Sequence, residues 1–224
     1  MITPRAYHTS TLLPDGRVLI ASGHSAGRSE DNLATAELYD PAAGIFTATG
    51  SMSTPSAHDV NTATLLPHGR VLITGAPAVN GGPFRAEIYD PSTGAFTLAA
   101  NSTQPPSFAT ATRLPTGDVL LTSAFSSDLY DPASASFNPT TALNAFCVRA
   151  VLLVNGTVLT AGGNDDPGPS AIAFLYDPSS ATFSVTGGTT APRQFHHAPF
   201  PMAALRSPAA APGPAPPLPL ASNS

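Results

Sequence analysis

A few residues in this 224-residue chain carry chemistry beyond packing. Asn164-Asp165-Asp166 stand together in a segment rich in glycine and proline. Three adjacent oxygen-bearing side chains have the donor type that coordinates a hard cation. Asp40, Asp90, Asp131 and Asp177 form a second set of carboxylates. His196-His197 offer two imidazoles, and the lone Cys147 one thiol. Each has a plainer explanation. All four aspartates precede a proline, where an aspartate initiates a turn. Adjacent polar residues beside glycine and proline make a solvated turn. Cys147 opens the apolar stretch Cys147–Val154, where a thiol serves as a small hydrophobe. The expectation is therefore a non-enzymatic chain with no catalytic residues, no cofactor and no metal site.

The elements that would position these residues repeat. Leu13-Pro14-Asp15-Gly16-Arg17-Val18-Leu19-Ile20 returns as Leu66-Pro67-His68-Gly69-Arg70-Val71-Leu72-Ile73. It returns more loosely as Leu114–Leu121 and Leu153–Thr160. A second phrase follows each copy: Leu38-Tyr39-Asp40-Pro41, Ile88-Tyr89-Asp90-Pro91, Leu129-Tyr130-Asp131-Pro132 and Leu175-Tyr176-Asp177-Pro178. Seven residues after each tyrosine comes a phenylalanine: Phe46, Phe96, Phe137, Phe183. The turn glycines are 53, 48 and 39 residues apart. Such a period marks a repeat in which each unit is one supersecondary element.

Within a unit, Tyr7–Leu13 reads as a strand, and Asp15-Gly16 as a hairpin turn. Val18–Ser22 reads as the return strand, apolar enough to be covered on both faces. A polar loop from Gly23 to about Asn32 leads to a third strand, Ala34–Tyr39. Asp40-Pro41 ends it, and Ile45–Ala48 forms a short fourth strand. Later units run over about 61–98, 109–138 and 147–185. No segment has a helical period. Four-stranded antiparallel units in series predict an all-β propeller, with tyrosine and phenylalanine filling the space between blades.

The bulk numbers agree. Hydrophobic residues are 42% and charged residues 10%, with a net charge of −5 and nine basic residues spread thinly. That argues against a nucleic-acid partner, which needs a basic stripe. Apolar runs are strand-sized, so no membrane span is expected. The first residues show no signal peptide, which leaves the compartment open; a longer parent could be exported.

The unit resembles the kelch repeat in its bacterial form: hydrophobic strand, LPDGRVL hairpin, glycine after the second strand, YDP phrase and an aromatic in the fourth strand. The resemblance covers about 1–197 and implies a kelch-type β-propeller of the galactose-oxidase-like superfamily. It departs from that pattern at the diglycine, whole only at Gly162-Gly163, and at the fourth-strand tryptophan, which is phenylalanine throughout. The expected domain spans 1–198, with blades at about 1–50, 51–100, 101–140 and 141–190. Residues 199–224 read as a disordered Pro/Ala-rich tail.

Strand parity places the second-to-third loops and the inter-blade linkers on one face, opposite the tight PDG and YDP turns. Binding residues concentrate on loops over a rigid scaffold. The candidates there are Arg5, His24, Arg28, His58, Asp59, Asn80, Asn164, Asp165, Asp166 and Arg193. The expected partner is a protein or a glycan. A sharper resemblance lies in Arg5-Ala6-Tyr7-His8-Thr9, similar to the copper radical oxidases built on kelch propellers. In that family an adjacent Tyr-His supplies two copper ligands, and the matching positions are Tyr7 and His8. The family's cysteine-linked second tyrosine and its histidine from a following domain have no counterpart here. The alternative expectation is a relative of those enzymes that has lost most of its site.

The ends carry a third reading. Met1-Ile2-Thr3-Pro4 aligns with Met52-Ser53-Thr54-Pro55, and Pro192-Arg193-Gln194-Phe195-His196 with Pro4-Arg5-Ala6-Tyr7-His8. A fifth unit thus begins. Where its hairpin is due stands Pro199-Phe200-Pro201-Met202-Ala203. The codons CCC-TTC-CCG-ATG-GCG would encode it, and from their third base they read Leu-Pro-Asp-Gly. On this reading the tail is an out-of-frame repeat and the chain a fragment without activity of its own. Four blades then form an open arc whose terminal blades expose self-association surfaces.

Overall fold

The computed structural model of the chain describes residues 1–25, 32–53, 55, 61–75, 85–99, 110–122, 127–141, 143, 149–165 and 168–192. The expected fifth first strand and the tail at 199–224 lie outside them. Sixteen strands form four antiparallel four-stranded sheets. Blade 1 holds β1 (Thr9–Leu12), β2 (Val18–Ala21), β3 (Thr35–Asp40) and β4 (Ile45–Ser51). Blade 2 holds β5 (Thr62–Leu65), β6 (Val71–Gly75), β7 (Arg85–Asp90) and β8 (Ala95–Leu98). Blade 3 holds β9 (Thr110–Arg113), β10 (Val119–Thr122), β11 (Ser127–Asp131) and β12 (Ser136–Pro139). Blade 4 holds β13 (Arg149–Leu152), β14 (Val158–Ala161), β17 (Ala173–Asp177) and β18 (Thr182–Thr186). Between β14 and β17, β15 (Asn164–Asp165) and β16 (Gly168–Pro169) pair as a small hairpin where a plain loop is expected. Proline closes β12 without breaking the sheet, because β12 is an outer edge. Among the described residues no helix is long and apolar enough to cross a membrane.

The hairpin between first and second strands is built alike in three blades. The N–H of Leu13 donates to Arg17 O at 2.8 Å, and that of Gly16 to Leu13 O at 3.0 Å, with Gly16 at φ +87°. Only glycine adopts that backbone at low cost. Asp15, Thr116 and Asn155 accept the N–H two residues on, at 3.0, 3.4 and 3.2 Å. Blade 2 has His68 there, without a matching oxygen, and His68 stands at φ +64° in a short 3₁₀ turn. The YDP turns follow the turn expectation. Oδ1 of Asp40, Asp90, Asp131 and Asp177 accepts the N–H of the residue two positions later at 2.7–2.9 Å. The four carboxylates are bound into four separate turns and form no shared cluster.

The blades stand side by side around a common axis. First strands are neighbours in order, β1 beside β5, β5 beside β9 and β9 beside β13. Among the described residues no sheet closes on itself, and the four blades form an open partial propeller. Strand register sorts each blade's side chains between its two faces. Val71 pairs with Tyr89, Val119 with Tyr130 and Val158 with Tyr176, all on the face toward the preceding blade. Leu19 pairs with Leu38 and Leu72 with Ile88, on the face toward the following blade.

Each seam is therefore a meeting of these sets. Leu13, Leu19 and Leu38 meet Val71, Ile73 and Tyr89. Leu66, Leu72 and Ile88 meet Val119, Leu121 and Tyr130. Leu114 and Leu120 meet Val158 and Tyr176. The three tyrosines are fully buried, as expected of the large fillers. The phenylalanines instead lie half-buried beside them. Ring centroids are 4.8 Å apart for Tyr39–Phe46 and 4.9 Å for the other three pairs.

The tyrosine hydroxyls differ. Tyr89 meets Thr49 Oγ1 of blade 1 at 2.9 Å. Thr49 lies three residues after Phe46, and the same place after Phe96 is Ala99, which has no hydroxyl to offer Tyr130. The Tyr130 hydroxyl is buried with no hydrogen-bond partner. A made hydrogen bond contributes about 1 kcal/mol, whereas an unmade buried one costs about 1–3 kcal/mol. Tyr89→Phe is expected to lower stability by about 1 kcal/mol, and Tyr130→Phe to leave it unchanged or raise it. Denaturant melts of the two variants measure the difference.

Candidate functional site

In blade 1 the linker and the second-to-third loop share one face. Ala6 in the first linker pairs with His24 in the loop after β2, each N–H donating to the other's carbonyl at 3.0 Å. His24 also bridges to Asn32. The pairing needs a close approach at Gly23, which has φ +87°. A Cβ there would run into the Ala6 carbonyl. Ser22 before it stands at φ +64°, the conformation that Gly162 adopts with φ +68° in blade 4. Ser22-Gly23 thus does the backbone work of the diglycine.

This clamp presents an aromatic platform. Tyr7 has φ +54°, uncommon for a bulky side chain. The bend takes residue 7 out of the expected strand, so β1 begins at Thr9. Its ring stacks on His24 with centroids 5.3 Å apart and planes 24° from parallel. Tyr7 is 67% exposed although its backbone is pinned on both sides. His24 Nδ1 donates to Ser25 O at 3.0 Å. Strained backbone held by its surroundings concentrates at sites of function.

Arg5, expected on the loop face, is buried. Its side chain is 0% exposed and lies inside blade 1, not on the loop surface. Nη1 donates to Ser22 O at 3.0 Å and Thr35 O at 2.8 Å, and Nη2 to Glu37 Oε1 at 3.0 Å. Glu37, 2% exposed, also accepts the N–H groups of Ile2 at 2.7 Å and Thr3 at 2.9 Å. Blade 2 repeats the device, with Glu87 accepting the N–H of Ser53 at 2.9 Å. Each carboxylate, two residues before the YDP tyrosine, ties down the linker that enters its own blade. Sequence reading passed over these glutamates, although Glu37, Glu87 and Asp128 stand at matching positions.

Of the remaining candidates, His24 belongs to the platform. Asn164 and Asp165 form β15, and their side chains lie outside the description. Arg28, His58, Asp59, Asn80, Asp166 and Arg193 lie outside the described residues, as do Cys147, His196 and His197. Of the two positions matched to copper ligands, Tyr7 stacks its ring on His24. Among the described residues no three His, Cys, Asp or Glu side chains gather as a metal cluster.

A cleft of about 330 Å³ lies where the first strands converge. Thr9 and Ser10, Thr62 and Thr64, Thr110 and Arg149 line it, so its wall is polar. Thr9-Ser10-Thr11, Thr62-Ala63-Thr64 and Thr110-Ala111-Thr112 of the first strands are the sequence signal for it.

Burial by itself pushes the Glu37 carboxyl up, but the Ile2 and Thr3 N–H groups and the Arg5 guanidinium outweigh it and hold the group below its ordinary 4.5. A carboxyl depressed in the folded state contributes stability that is present above its unfolded value and lost as pH falls through the folded one. Glu37→Gln is expected to lower the thermal midpoint at neutral pH. The gap to the parent chain should close as pH drops below about 4.5. Melting both proteins across that range checks the sign.

Set against known proteins, the chain matches no family model, and no curated protein is significantly similar to it.

Proposed function

We propose that this chain is a kelch-type partial propeller acting as a non-enzymatic binding scaffold. Its ligand, a glycan or a protein segment, engages the loop face around Tyr7 and His24. The observation that carries the reading is an exposed Tyr7 ring on a pinned, positive-φ backbone, stacked on a second ring. A pre-ordered ring gains contact area without losing much freedom on binding, which is why tyrosine dominates many recognition surfaces. A flat exposed ring beside a hydrogen-bonding imidazole suits the apolar face and flanking hydroxyls of a sugar, which favours a glycan. The kelch assignment is supported by the repeated hairpin and YDP phrases and by the paired positive-φ residues after β2 and β14.

A glycan array read with the purified chain, followed by titration of the hits, tests the proposal. Tyr7→Ala should weaken binding at least tenfold, the scale of a central aromatic contact, with an unchanged melting temperature because Tyr7 lies outside the seams. Binding that ignores both Tyr7→Ala and His24→Ala overturns the assignment of this face.

A further inference from the structure

Every seam in the chain joins the same two half-faces. A leucine-rich half from one blade, such as Leu13, Leu19 and Leu38, meets a valine–tyrosine half from the next, such as Val71 and Tyr89. Two half-faces meet no blade of this chain among the described residues. Blade 1 turns Val18 and Tyr39 outward at one end of the arc, and blade 4 turns Leu153, Leu159 and Leu175 outward at the other. Burial registers the difference. Tyr89, Tyr130 and Tyr176 are fully buried, whereas Tyr39 is half-buried. Leu13 and Leu19 are buried, whereas Leu153 and Leu159 are half-buried. Met52 packs into the first seam at 6% exposure, while Met1, its counterpart before blade 1, is 51% exposed. The chain contains no lysine, the residue that most often guards an open sheet against association.

We propose that these two half-faces are complementary and that blade 4 of one copy docks on blade 1 of a second copy, head to tail. The occupant follows from the chain's own seams. The outward-facing leucines have the types and register of those that cover Val71 and Tyr89. The outward-facing valine and tyrosine have the types and register of those that are covered. Such a contact is heterologous, and it generates a ring if the rotation between copies closes and a string if it does not. Two copies supply eight blades, within the range at which propellers close.

Sedimentation of the purified chain over a wide concentration range, with Val18→Arg and Leu159→Arg, tests the pairing. The parent chain is expected to associate and each variant to stay monomeric. An equimolar mixture of the two variants should recover a two-chain species, since one leucine half and one valine–tyrosine half remain intact. Circular dichroism confirms that each variant is folded, with Tyr39→Arg and Leu175→Arg as replacements. A parent chain that stays monomeric overturns the proposal and leaves the half-faces to another cover. Variants that still associate alone, or a mixture that does not, overturn the head-to-tail pairing.

Discussion

The structure depends on the burial of one tyrosine per seam. A single four-stranded sheet has two faces and too few residues to hide either. Tyr89, Tyr130 and Tyr176 resolve this by crossing the gap to the preceding blade and filling the hollow among its leucines. Fully burying such a side chain contributes roughly 1.5–3 kcal/mol. The effect is local to each seam, so stability accumulates blade by blade, as in other repeat architectures.

That dependence explains why the other devices sit where they do. Packing two blades requires the linker between them to arrive at a set position. Glu37 and Glu87 secure it by accepting linker N–H groups at the blade's buried edge. In blade 1 the carboxylate holds Arg5 as well, a charge pair removed from water whose Nη groups also reach two backbone carbonyls, while its Nε is buried without a partner. Removing one member of such a pair leaves an uncompensated buried charge. Once the linker is fixed, Ala6 can pair with His24, and Tyr7 must leave the strand direction to follow. The exposed ring is thus a consequence of the same clamp.

Much of this was legible in the chain. The period of the LPDG and YDP phrases implied four four-stranded blades. Strand order, the αL glycine in the hairpin and the aspartate-initiated turns follow from local chemistry acting within a few residues. The fourth strand of blade 1 runs further than expected, to Ser51, because a bulge lets Ser51 pair with Thr35, while the N–H of Gly50 turns to Gly94 O in the next blade at 2.9 Å. Nothing within blade 1 foretells that bond.

The functional face was legible only in outline. Parity placed the loops on one side, and His24 among them. Parity did not show that Arg5 points inward, because its partner Glu37 lies 32 residues away. Nor did it show that residues 7 and 24 stack, or that the first-strand threonines converge on one cleft. The sequence by itself determined repeat, strand and turn, since each is settled by neighbours along the chain. Which side chains are covered, paired or left open was decided by the tertiary structure. Coverage depends on which blade stands alongside, and that is a property of the assembled arc.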